Sequence, residues 1–147
     1  MKSEKYTYFV TFIILFLIIP FFTQCDKENE HNPIPNVHVN INLDISSTLY
    51  SDLNIIGNHA YITGGYRGIV VYRMSNDEFV AYDRACPYDH EDPEARVDVE
   101  DNGLTLIDST CMSRFLLLDG SVVEGPAKRS LKNYRTNFDG NNLFIYN

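Results

Sequence analysis

Gly68-Ile69-Val70-Val71-Tyr72-Arg73, then Ser75-Asn76-Asp77-Glu78, then Phe79-Val80-Ala81-Tyr82-Asp83-Arg84 is the stretch that decides the fold. Two short runs rich in β-branched and aromatic residues flank four residues of turn chemistry, the pattern of a β-hairpin. The same grammar repeats outward along the chain. Arg96 to Glu100 and Leu104 to Asp108 flank Asp101-Asn102-Gly103. Phe115 to Leu118 and Ser121 to Val123 flank Asp119-Gly120, and Leu131 to Asn137 and Asn142 to Tyr146 flank Asp139-Gly140-Asn141. Upstream, Val37, Val39, Ile41, Leu43 and Ile45 alternate with His38, Asn40, Asn42 and Asp44, a period of two that reads as a half-buried strand. Leu49 to Ile56 and Ala60 to Thr63 read as two further strands, the second ended by the turn Gly64-Gly65. No ten-residue stretch after residue 24 carries helical periodicity. The pattern predicts an all-β domain of many short strands.

Two cysteine-bearing loops sit among these hairpins. Cys86-Pro87-Tyr88-Asp89-His90 follows the first hairpin, and Cys111-Met112-Ser113-Arg114-Phe115 follows the second. Asp119-Gly120 then leads into Glu124-Gly125-Pro126-Ala127 and Leu131-Lys132-Asn133-Tyr134. This ordered series, from roughly residue 62 to residue 146, resembles the Rieske family. In that family two loops, Cys-x-His and Cys-x-x-His, grip a two-iron two-sulfur cluster. The resemblance implies stacked antiparallel β-sheets with a small loop-rich subdomain, about residues 86 to 125. Anchored on Phe115, Gly120 and Gly125-Pro126-Ala127, it sets Cys86 at the first Cys and Tyr88 at the first His. Asp108 then falls at the second Cys and Cys111 at the second His.

A ligand count bears on what such loops hold. A Rieske cluster takes two thiolates on one iron and two imidazoles on the other. The only cysteines are Cys25, Cys86 and Cys111, and His90 lies four residues after Cys86 rather than two. The second loop has Arg114 and Arg129 nearby, and a guanidinium cannot donate to a metal. Shifting the match so that Cys111 is the second Cys puts Arg114 at the His position. The expectation is a degenerate site with no cofactor. The alternatives are a variant two-iron two-sulfur site on Cys86, His90, Cys111 and Asp108, serving electron transfer, and a mononuclear zinc site on the same residues. The resemblance also brings Cys86 and Cys111 together, as a disulfide or as two free thiols.

The chain opens with Lys2 and Lys5 ahead of an apolar run from Phe9 to Phe22, then Thr23-Gln24-Cys25. A basic start, a short apolar core and a processing site read as an export signal. Cysteine at that boundary resembles the lipobox of bacterial lipoproteins, although Gln24 replaces the usual Gly or Ala. The resemblance implies cleavage after residue 24 and acylation of Cys25. Residues 1–24 are thus read as signal, 25–36 as an acidic, Pro-containing tether and 37–147 as the domain. Asp26-Lys27-Glu28-Asn29-Glu30 suits either a surface-export signal or a plain tether. The expected location is the bacterial cell envelope, lipid-anchored at the outer membrane, on its periplasmic or surface face.

Charge narrows the partners. The chain carries −8, and losing Lys2, Glu4 and Lys5 with the signal leaves −9. Such an acidic domain is a poor binder of nucleic acid, which requires Lys and Arg against phosphates. The expected membrane contact is the lipid, and the expected partner is an envelope protein or ligand that the sequence does not specify. Asp89, Glu91 and Asp92 surround His90 without the spacing of a calcium loop. Gly64-Gly65-Tyr66-Arg67-Gly68 precedes a strand rather than a helix, so it reads as a turn and not a phosphate cradle. Ser109 and Ser113 have no neighbouring histidine base, and no carboxylate pair has catalytic spacing. The sequence therefore predicts a non-catalytic, lipid-anchored binding or structural module.

Overall fold

The computed structural model describes residues 33–147; the apolar run and Cys25 lie outside the described residues. Among the described residues there are ten strands: β1 (Asn40–Asp44), β2 (His59–Ile62), β3 (Ile69–Arg73), β4 (Phe79–Asp83), β5 (Val97–Val99), β6 (Thr105–Asp108), β7 (Arg114–Leu116), β8 (Val122–Glu124), β9 (Asn133–Phe138) and β10 (Asn142–Tyr146). They form two antiparallel sheets, one of six strands in the order β1-β10-β9-β4-β3-β2 and one of four in the order β5-β6-β7-β8. The all-β expectation and the four hairpins read from turn chemistry are all present, β3 with β4, β5 with β6, β7 with β8 and β9 with β10.

The two faces of β3 explain how the sheets stack. Successive residues of a strand point to opposite sides. Ile69 and Val71 enter one core with Phe79, Ala81, Tyr134, Leu143 and Ile145. Val70 and Tyr72 enter a second core with Tyr82, Val97, Leu106, Phe115 and Leu117. A run of four buried apolar residues is what a strand packed on both faces requires. All six strands of the larger sheet send side chains into the first core, so that sheet curls around it. The second core lies between the larger sheet and the four-stranded one.

The smaller sheet is an excursion from the larger. After β4 the chain leaves, builds β5 to β8, and returns as β9, which pairs with β4 at Ala81–Tyr134 and Tyr82–Asn133. Both cysteine loops belong to this excursion.

Two readings are corrected. Leu49 to Ile56 is not a strand: Thr48–Asn54 is a 3₁₀ helix. Its only buried residue is Leu53, while Leu49 is 77% exposed, so no face alternates as a sheet would need. The Ser47 side chain caps it by accepting the Leu49 N–H at 3.4 Å. Arg73 Nη1 donates to the Leu53 carbonyl at 2.8 Å, and Asn54 Nδ2 to that of Ile45 at 2.8 Å, which fixes the segment against the sheet. The first strand also starts later than Val37: Val37 is exposed, and the ladder with β10 begins at Asn40. Upstream, Ile34 is buried, and Lys132 Nζ donates to the Pro35 carbonyl at 2.8 Å. The last residues of the segment read as tether thus lie against the domain.

Candidate functional site

Two loops of the smaller unit bring the candidate residues together. The first leaves β4 through Ala85 and turns over residues 87–91. Asp92 N–H closes this turn on the Asp89 carbonyl at 2.8 Å. In a turn the residue three positions on comes back to the same side, as on a helix. Asp89 therefore faces the side of Cys86, and Tyr88 swings out to 59% exposure. The second loop is closed twice, by Met112 N–H on the Asp108 carbonyl at 2.8 Å and by Asp108 N–H on the Ser113 carbonyl at 2.9 Å. Met112 reverses the chain at φ +64°, the left-handed region where glycine is unstrained. Cys111 is thereby folded back over Asp108.

The result is a compact donor group. One ligand atom from each of Cys86, Asp89, Asp108 and Cys111 lies within 4.8 Å of every other. The two sulfurs are 3.5 Å apart, and both cysteines are free thiols. Cys86 and Asp108 are fully buried; Asp89 and Cys111 are partly exposed. The Cys111 thiol donates to Ser113 Oγ at 3.0 Å, and that oxygen also accepts the Ala127 N–H at 2.9 Å. Asp108 Oδ1 accepts the Thr110 N–H at 2.8 Å. Asp108 Oδ2 and Asp89 Oδ1 are buried and accept nothing.

Electrostatics follow from this crowding. Burial pushes the Cys86 thiol far above its ordinary range; the Tyr88 backbone amide pulls the other way, and Asp108 and Cys111 add to the rise. Burial also raises the Asp89 carboxyl, with the Cys86 thiol opposing and the Asp108 charge adding to it. Four acidic groups share one space, two of them fully buried, with no histidine among them.

Of the residues singled out from sequence, the structure gathers Cys86, Asp108 and Cys111. It leaves Tyr88 and His90 outside the group and adds Asp89. Nothing in the spacing marks Asp89 apart from Glu91 and Asp92, which are exposed. The turn separates them. Ser113, Ala127 and Thr110 as supports of the group were also invisible, since two of the three act through backbone amides.

No protein-family model matches the chain, and no curated protein matches it. Solved structures do. The plasma-membrane Rieske protein PetC3 of the cyanobacterium Synechocystis is 20% identical, with a TM-score of 0.55 over 73% of this chain and 99% of that one. The ferredoxin of carbazole 1,9a-dioxygenase from Nocardioides aromaticivorans is 15% identical, with a TM-score of 0.49 over 76% of this chain and 98% of that one.

The family's cluster can be set against the donors in place. It needs two imidazoles on the outer iron, and the group holds no histidine. A two-iron cluster also keeps its two ligand pairs apart, across the length of the iron–sulfur rhomb. Four donors mutually within 4.8 Å leave no space for that rhomb between them. The residues present do not fit a Rieske cluster. What the chain shares with PetC3 is the stacked antiparallel architecture: the domain has the Rieske fold.

Proposed function

We propose that this protein is a non-catalytic binding or structural module with the Rieske fold, carrying no iron–sulfur cluster and held at a bacterial envelope membrane by lipid on Cys25. The observation that carries the reading is the donor group of Cys86, Asp89, Asp108 and Cys111, which lacks histidine and is too compact for two irons. The basic start, short apolar run and Cys25 support the anchor, and the charge of −9 after processing supports attachment through lipid rather than through the domain. Ser113 is not set up as a nucleophile, since its oxygen faces a thiol and a backbone amide instead of a base.

Electron transfer through a variant two-iron site is the second reading, favoured by the fold and by the paired thiols. It would need Asp89 and Asp108 to serve the second iron, at a separation that the group lacks. Iron and acid-labile sulfide analysis tests between them. Full-length protein made in iron-replete cells and purified anaerobically in detergent is expected to carry only trace amounts of both. Stoichiometric iron and sulfide contradict the proposal.

A further inference from the structure

We propose that Cys86, Asp89, Asp108 and Cys111 bind one zinc ion, which ties the two loops of the small subdomain together. The inference rests on the clusterless reading and names the ligand of that same site.

Distances favour a single tetrahedral ion. Zinc sits about 2.3 Å from thiolate sulfur and about 2.0–2.2 Å from carboxylate oxygen. The edge of a tetrahedron is roughly 1.6 bond lengths, so two thiolates on one zinc stand about 3.8 Å apart and two oxygens about 3.4 Å. The sulfurs here are 3.5 Å apart, and no pair in the group exceeds 4.8 Å.

A second, independent observation asks for a cation. Asp108 is fully buried, yet Oδ2 accepts no hydrogen bond, and Asp89 Oδ1 is also buried and unpartnered. Buried carboxylate oxygens without a donor are rare and costly. The two carboxylates neighbour each other, and the remaining donors of the group are the two thiols. No histidine belongs to the group. A divalent ion gives both oxygens a ligand bond, and binding releases the two thiol protons to solvent, so the net charge of the group does not change.

The surroundings orient two of the donors as metal ligands are oriented. The Thr110 amide holds Asp108 Oδ1, and Ser113 Oγ, fixed by the Ala127 N–H, stands 3.0 Å from the Cys111 sulfur. The Ser113 hydroxyl proton is free to turn toward that sulfur once it is a thiolate. Two thiolates disfavour calcium and magnesium, which take oxygen ligands. Mixed sulfur and oxygen donors in one compact group suit zinc.

The test uses full-length protein in detergent, purified anaerobically with thiols reduced. Zinc content after dialysis is expected to be one per chain, and chelation followed by cobalt(II) titration should give tetrahedral d–d bands with sulfur-to-cobalt charge transfer. Cys111→Ser, nearly isosteric, should reduce the charge-transfer intensity and the zinc affinity. Ser113→Ala, which leaves all four donors in place, should weaken zinc binding about 10- to 100-fold. An octahedral cobalt spectrum in the wild type, or cobalt and zinc binding unchanged in Cys111→Ser, overturns the site without depending on whether any variant folds. Iron with sulfide in place of zinc overturns this inference and the clusterless reading together. A chain holding neither overturns the zinc site alone.

Discussion

Asp83 ends β4 fully buried, and its carboxylate accepts hydrogen bonds from Tyr66 N–H at 2.6 Å, Arg67 N–H at 3.1 Å, Ala85 N–H at 3.0 Å and the Tyr134 hydroxyl at 2.7 Å. One side chain thus ties the Gly64–Gly68 turn, strand β9 and the entry to the Cys86 loop. Burial and the Asp83 charge push the Tyr134 hydroxyl far above its ordinary range, so it remains a donor. Tyr134→Phe should cost about 1–3 kcal/mol. Asp83→Asn, which turns an amide donor toward existing donors, should cost about 3 kcal/mol or more in urea unfolding. Equal and small losses would remove Asp83 from this role. Nothing in the sequence announces it, because three of its four partners lie 16, 17 and 51 residues away. His59 offers a pH test at the same scale. Burial lowers its imidazole below the ordinary value of 6.5, with Asp52 opposing, Arg84 adding to the lowering and Asp98 opposing. A depressed histidine means the unfolded chain binds the proton first. Its contribution is therefore present above about pH 6.5 and is lost as pH falls from there toward the lower folded value. The unfolding free energy should decline in that window, and His59→Gln should decline less; identical profiles would refute the assignment.

Among the elements, hairpins were legible and the helix was not. Turn residues are local: Gly103 and Gly140 adopt positive φ at +65° and +102° where Asp-Asn-Gly and Asp-Gly-Asn forecast tight turns. The 3₁₀ helix at Thr48–Asn54 is a tertiary choice, made by Arg73 and Asn54 holding carbonyls that no local pattern reveals. The same distinction divides the glycines. Gly103 at φ +65° has open space around an added Cβ, so Gly103→Ala should cost only the left-handed strain, about 1–2 kcal/mol. Gly120 at φ +71° would set a Cβ 2.9 Å from Tyr82 Cε1 and 3.5 Å from Leu131 Cβ, both in the second core. Gly120→Ala should lose a further 1 kcal/mol or more, about the cost of overpacking. Comparable losses for the two variants would mean that β7–β8 does not close on Tyr82 as described.

At the scale of the whole molecule, one curled sheet carries an inserted smaller one, and the site is built on the insertion. That arrangement was legible because β3 is apolar at four consecutive positions and because the order of hairpin, cysteine loop, hairpin and Gly-Pro-Ala persists. The site was legible only in part. Cys86, Asp108 and Cys111 were picked from the loop series, but which acidic residue joins them depends on a turn that pattern does not encode. The proposed anchoring is tested on the full chain: Cys25→Ser should leave the signal uncut and move the protein out of the membrane fraction. Unchanged migration and fractionation would refute the lipid reading. The central claim, a Rieske fold without its cluster, is tested most directly by low-temperature EPR of the full-length protein, purified anaerobically from iron-replete cells and reduced with dithionite. The account predicts a colourless sample with no rhombic signal. A rhombic signal integrating to about one spin per chain, with visible absorption before reduction, would contradict it.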